Sequence, residues 1–249
     1  MRSSTRHQLK TDEFRETTVE TLNWASEHSS TLIATGIVAV IVLAAIIGGW
    51  AYVNYRNQQA HGGLAAAIDK YNAPILPAGQ TAPPDTVTYP SAQERSKAAN
   101  AAFAQIANQY SFTQSGRIAR YFEGITFRDM GDNSSAEREL SAVASSHDHD
   151  VAGLAKLALA GLYQDTNQTA KAIDVYKQLI DHASPSVGKW TAEFQLAELY
   201  QSNNQLDDAR KLYEDLQKES PTSPVGQVAT QRLQSMRPGA AGAPPAMQP

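Results

Sequence analysis

The sequence predicts an all-α chain in which a single N-terminal transmembrane helix is followed by an α-solenoid of repeated helical hairpins. Three observations predict it. Residues 31–53, TLIATGIVAVIVLAAIIGGWAYV, lie in a stretch without charge between Glu27 and Arg56. Beyond residue 90 the apolar residues recur at helical spacing. Within that region small and aromatic residues return at intervals of 36 and 37 positions, which is how a stacked repeat shows itself in one dimension.

The composition is that of a folded chain: 42% of the 249 residues are hydrophobic and 18% charged. After the apolar run there are 17 basic and 20 acidic residues. That balance argues against a nucleic-acid binder, which needs a basic face to displace counterions from phosphates. Cysteine is absent, so there is no disulfide framework, thiol nucleophile or Cys-based metal site. The same absence leaves the redox compartment open.

Residues 1–30 form a tail ahead of the span. Arg2, Arg6, Lys10 and Arg15 outnumber Arg56 and Lys70 on the other side, a bias that favours a cytoplasmic N-terminus. Within the tail, residues 11–28 suit a short amphipathic helix. Thr11 and Asp12 offer capping chemistry, and Phe14, Val19, Leu22 and Ala25 share a face. The span itself, residues 31–53, would measure ~34 Å as a helix against ~30 Å of hydrocarbon. Leu, Ile and Val fill eleven of its positions, enough for roughly −3 to −7 kcal/mol of insertion free energy. Trp50, Tyr52 and Tyr55 crowd one end and Trp24 precedes the other, as interfacial aromatics do. A cleaved signal peptide fits poorly, because the preceding region carries five acids and Trp50-Ala51-Tyr52 is a poor cleavage site. Ala44 with Gly48 and Ala45 with Gly49 are small-residue pairs that would seat a second helix, which leaves a homo-oligomer open.

Residues 54–71 continue as helix, with Leu64, Ala67, Ile68 and Tyr71 on one face. Residues 72–90 hold five prolines and read as a loop, since proline lacks the backbone donor and restricts its predecessor. Residues 91–237 are a helical repeat region. Residues 238–249 are a Pro/Ala-rich tail, expected to be disordered.

In the repeat region Gly124, Ala160 and Ala197 form one column, followed three residues later by Phe127, Tyr163 and Tyr200. Ala136, Ala172 and Ala209 form a third, Leu140, Tyr176 and Tyr213 a fourth, and Val143, Leu179 and Leu216 a fifth. This order of small residue, aromatic, Ala and aromatic, closed in the last unit by Pro221, resembles the tetratricopeptide repeat. Small residues let the two helices of a hairpin approach, and aromatics fill the wider gaps between hairpins. The expected units are a half repeat at 91–112, repeats at 117–150, 153–186 and 190–223, and a capping helix at 225–236. The signature's Trp column is occupied instead by Arg120, Lys156 and Glu193. The fold expected is thus a tetratricopeptide-like α-solenoid behind one transmembrane helix.

No catalytic motif is present, and an enzyme is not expected. The cluster His147-Asp148-His149-Asp150 could tempt a metal, but no distant ligand accompanies it and a solvated turn is the simpler reading. No cofactor or metal site is assigned. In arrays of this type the first helix of each hairpin lines a concave groove. The positions that would face it are Ile118, Tyr121, Ile125 and Arg128, then Leu154, Leu157 and Gln164, then Thr191, Phe194, Glu198 and Gln201. The first two sets are largely apolar, which suits a hydrophobic peptide or an amphipathic helix. The Lys/Asn pair with which arrays of this family clamp a C-terminal carboxylate is missing.

The whole layout resembles the bacterial family of ancillary SecYEG translocon subunits, the YfgM-like proteins. The matching pieces are Val19-Glu20-x-Leu22-x-Trp24-x-x-x-His28 before the span, Trp50-Ala51-Tyr52-Val53-Asn54-Tyr55 at its exit, and the repeats from Ala98 to Met236. The resemblance implies a single-pass protein of the bacterial inner membrane, N-terminus in the cytoplasm and repeat domain in the periplasm. It implies a non-catalytic scaffold, adaptor or chaperone-like factor whose partners are translocon subunits, periplasmic chaperones or exported chains. The Pro-rich insertion and tail depart from the family pattern. The alternative is a structural organiser of a cell-envelope or outer-membrane assembly complex.

Overall fold

A computed structural model describes residues 29–76 and 86–236. The expected amphipathic helix at 11–28, the middle of the Pro-rich loop and the tail at 238–249 lie outside them. The described residues form nine helices and no strand, and the chain divides into two compact units at Tyr55 and Arg56.

The first unit holds the N-terminal part of α1 (Ser29–Tyr71). Ile33, Val40, Leu43 and Ile47 are all exposed, and the helix is long and apolar enough to cross a membrane. A helix satisfies its own backbone polar groups, so such a surface can face hydrocarbon without cost.

The second unit begins with the rest of α1. Ala60, Leu64 and Ala67, at helical spacing, bury themselves with Ala99, Phe103, Ile106 and Ala107 of α2 (Ala92–Gln109) and with Ala119. Ile68 and Tyr71 close the edge of this cluster. The rings of Phe103 and Phe122 stack at 5.1 Å, and Tyr71 meets Phe103 edge-on. Gly63 allows the approach, since a Cβ there would strike the Ile106 side chain. Beyond α1 the Leu76 amide donates to the Tyr89 carbonyl (2.9 Å) and the Tyr89 amide to that of Pro74 (3.1 Å). These bonds pin together the two ends of the proline-rich segment.

The remaining helices are α3 (Gln114–Asp129), α4 (Asn133–Ala144), α5 (His149–Asp165), α6 (Thr169–Asp181), α7 (Lys189–Ser202), α8 (Leu206–Glu219) and α9 (Pro224–Ser235). The turns inside three successive hairpins are built alike. Gly131, Asn167 and Asn204, spaced 36 and 37 residues apart, all have positive φ (82°, 56° and 59°). Each stands where the preceding helix must stop, a left-handed position that Gly and Asn tolerate. The next amide reaches back in every case: Asp132 to Phe127, Gln168 to Tyr163 and Gln205 to Tyr200, at 2.7–2.9 Å. Side chains of Thr113, Asp132, Asp148 and Ser223 cap the helices that follow them, satisfying amides that have no helical acceptor.

The packing columns are buried as the period requires. Ala136, Ala172 and Ala209 are fully buried, and so are Leu140 and Tyr213, with Tyr176 at 2% exposure. Gly124 sits so close to α4 that a Cβ would come within 2.7 Å of Leu140 Cγ. Leu216 and Ala197 join Ala229 of α9 in a terminal cluster, so α9 covers the apolar face that α7 and α8 would otherwise leave open.

Candidate protein-binding groove

The eleven expected groove positions fall on α3, α5 and α7, the first helices of the three hairpins. Ile118, Tyr121, Ile125, Leu154 and Leu157 are half-buried and lean on the central cluster formed by Leu140, Leu159, Leu162 and Tyr176. Phe194 leans instead on the terminal cluster, with its ring 5.9 Å from that of Tyr213. Thr191 is exposed. Burial pushes the Tyr121 phenol above its usual pKa, an effect that nearby Arg128 opposes. The first two hairpins therefore contribute an apolar surface whose side chains are held in place by the core beneath them.

Four of the five polar members, Arg128, Gln164, Glu198 and Gln201, are engaged within the domain. Gln164 Nε2 donates to the Tyr176 hydroxyl (3.1 Å), and the Tyr213 hydroxyl donates to Gln201 Oε1 (3.0 Å). The same two positions bond in consecutive repeats, with donor and acceptor exchanged, since both residues advance by 37 positions. In the preceding repeat the tyrosine is Leu140 and the glutamine is Arg128. With no hydroxyl to meet, Arg128 turns to the next repeat and grips Asp165 through Nη2 (2.6 Å) and Nε (2.9 Å). Gly161 leaves room for it, since a Cβ there would stand 3.3 Å from Arg128 Nη1. Glu198 is bound in turn by Arg232 of α9 (2.7 Å). Ligands that rely on an unpaired charge would have to break one of these pairs. Apolar contact is what the surface offers at least cost.

Sequence reasoning identified Arg128 and Glu198 as groove residues and missed Asp165 and Arg232, their partners. The spacing that aligned the packing columns also aligns the Gln–Tyr pair, so that bond was readable. The ion pairs bridge repeats at positions without a repeated counterpart and carried no periodic signal. In the His147–Asp150 cluster, Asp148 caps α5 by accepting from the Val151 amide and pairs with Arg117 at 3.1 Å. The column where the repeat signature has Trp is charged. Glu193 is buried against Lys189 (3.3 Å), and Arg120 faces Glu139 at 3.8 Å.

Residues 23–184 match the model of the tetratricopeptide repeat-like domain. The chain belongs to this family. A second model, the tetratricopeptide repeat, matches residues 191–223, the span of α7 and α8. The fold is accordingly all-α, a tetratricopeptide-like solenoid with one long apolar N-terminal helix, and folds of this kind typically serve as protein–protein interaction scaffolds. Among solved structures, the chain is similar to nearly identical TPR-like repeats of a Podosopora anserina protein assigned as a kinesin light chain. Identity there is 19% and the TM-score 0.46, covering 57% of this chain and 78% of the other. A variant of that protein, with one glutamine replaced by methionine, gives 17% identity and the same TM-score, over 57% and 77% of the two chains. No curated protein matches the chain.

Proposed function

We propose that this protein is a non-catalytic, membrane-tethered scaffold that binds apolar segments of other proteins along α3, α5 and α7. Three modules at 117–150, 153–186 and 190–223 carry the surface. The observation that supports it most is the run of Ile118, Tyr121, Ile125, Leu154 and Leu157. These are half-buried side chains with hydrophobic faces, presented by consecutive hairpins of an interaction fold. A chain that also has a membrane-crossing helix acts next to a bilayer. With residues 1–30 in the cytoplasm, the repeats would stand in the periplasm of a bacterial inner membrane. The partner class this favours is the exported chain or the translocon through which it emerges, with the protein as adaptor or chaperone-like factor. An emerging chain is unfolded and presents hydrophobic stretches, which suits an apolar surface without free charge.

The test is capture of partners in mild detergent by the intact chain and by the double variant Tyr121→Asp with Leu157→Asp. The reading predicts recovery of translocon subunits or exported chains by the intact protein. Capture should fall at least tenfold in the variant, the loss expected when two buried contacts worth ~1 kcal/mol or more each are removed. Helicity by circular dichroism should stay at the parent level. Undiminished capture by a folded variant would move the binding surface elsewhere. Recovery of a fixed set of envelope proteins without translocon would favour the structural organiser.

A further inference from the structure

Ala99, Phe103 and Ile106 of α2 stand 37 residues before Ala136, Leu140 and Val143 of α4 and are buried as they are. α2 thus occupies the place of a second helix. The part of α1 that belongs to the second unit, Arg56–Tyr71, packs on it as a first helix would. One bond sets the register between this hairpin and the next. The Tyr71 hydroxyl donates to Asp129 Oδ2 (3.0 Å), while Arg128 reaches Asp165, 36 residues beyond Asp129. Tyr71 therefore does for its hairpin what Arg128 does for the following one. Ala67 precedes Tyr71 by four residues, as Gly124 precedes Arg128, and both are buried. By the same count Leu64 and Ile68 take the places of Tyr121 and Ile125, and Ala65 that of Phe122.

The positions that α1 adds to the proposed groove are apolar. Leu64 is buried, but Ile68 and Tyr71 are half-buried, as Tyr121 and Ile125 are. Phe122 joins the two sets, with its ring centre 6.1 Å from that of Tyr71 and 5.2 Å from that of Tyr121. The strip thus runs from α1 across α3 towards Leu154 and Leu157 of α5. Its charged neighbours are engaged inside the domain. Asp129 is held by Tyr71, Arg128 and Asp165 hold each other, and Arg95 meets the Ala73 carbonyl (3.4 Å) and the face of Tyr71 (5.8 Å to the ring centre). A charged side chain laid on this strip would shed water and gain no partner. An apolar one would only leave water, which is favourable.

We propose that the binding surface begins on α1, at Ile68 and Tyr71, and that it takes an extended, uncharged segment with apolar side chains. This rests on the proposed function, in which the bound chain is unfolded. Neighbouring helices stand ~8–10 Å apart, so the path from α1 to α5 is ~16–20 Å. That is about six residues of extended chain.

The chain lacks cysteine, so single thiols report where a peptide lies. The full-length protein in lipid nanodiscs carries Ala65→Cys, Ile68→Cys, Tyr121→Cys or Leu157→Cys, with Ala101→Cys on the exposed side of α2 as control. Circular dichroism checks each against the parent; Ala65 is exposed, so its variant reports on α1 even where Ile68→Cys loses helicity. Each is alkylated with N-ethylmaleimide, alone and with a peptide of about ten residues in which leucine and serine alternate. A second peptide has glutamate in place of leucine. The leucine peptide should slow alkylation about threefold or more at 65, 68, 121 and 157 and leave 101 unchanged, and the glutamate peptide should protect none of them. Protection at 121 and 157 without protection at 65 and 68 overturns the extension onto α1 and leaves the groove of α3 and α5 intact. Equal protection by the two peptides overturns the uncharged ligand. No protection at any position, or equal protection at 101, overturns the groove and this inference together.

Discussion

Glu123 shows how far a single residue can depart from its column. It stands where the next two repeats place Leu159 and Leu196, and like them it is buried. Loss of hydration, reinforced by the charge of Glu139, raises its pKa from 4.5 to about 7, while Arg120 and Arg138 pull the other way. In the unfolded chain the group ionises near 4.5, so between pH 4.5 and about 7 the folded state keeps a proton that the unfolded state has released. Stability should therefore fall as pH rises through that window and stay low above it. Glu123→Leu should remove most of this slope and stabilise the domain by ~1–3 kcal/mol at pH 8. Urea unfolding at pH 4.5 and pH 8 reads it directly; parallel losses in parent and variant would place the sensitivity elsewhere. Periodicity assigns Glu123 to its column, but its raised pKa depends on desolvation by neighbours from other helices, which no spacing encodes. The Tyr176 and Tyr213 hydroxyls make a contrasting case. Tyr176→Phe and Tyr213→Phe should each cost ~1 kcal/mol by the loss of one hydrogen bond. Similar midpoint shifts in denaturation would show that the two repeats use the bond equally.

At the scale of the element, the helix beyond the span acts as a structural part of the repeat domain. Arg56–Tyr71 supplies Ala60, Leu64 and Ala67 to the cluster that buries Phe103. Leu64→Ala should cost ~2–5 kcal/mol, as deletion of a buried leucine does, whereas Leu43→Ala, on the exposed apolar stretch, should leave the unfolding of the repeats unchanged. A fragment of residues 92–236 should melt well below one of residues 56–236 and bind a hydrophobic dye, because Phe103 and Ile106 lose their cover. Equal melting of the two would mean that α1 only tethers. The helices and hairpin turns were legible because each rests on local chemistry: a capping side chain, or a Gly or Asn at the left-handed position. Leu64 and Ile68 were legible as a face in the same way. The bridge of Ile75 to Tyr89 was not, since in a segment with five prolines nothing in the sequence marks which residues pair.

At the scale of the whole molecule, a helix long and apolar enough to cross a membrane and a tetratricopeptide-like solenoid share one chain. Stacked repeats transmit stability to their neighbours, so Arg128→Ala, which severs the link from the first repeat to Asp165, should lower the melting of the first two repeats more than that of the third. Hydrogen exchange resolved by segment would show this. The architecture was readable because five columns repeat across three units; the proposed groove was expected only as a set of positions. Which of them hold free functional groups was settled by bonds such as Arg128 to Asp165 and Glu198 to Arg232, and these left an apolar strip. The central claim is that this strip meets other proteins, and in-cell photo-crosslinking tests it most directly, with a photoreactive residue at Tyr121, at Leu157, or at Lys177 on the exposed face of α6. The account predicts adducts with translocon subunits or exported chains from Tyr121 and Leu157 and none from Lys177. Adducts from Lys177 alone, or equally from all three, would contradict it.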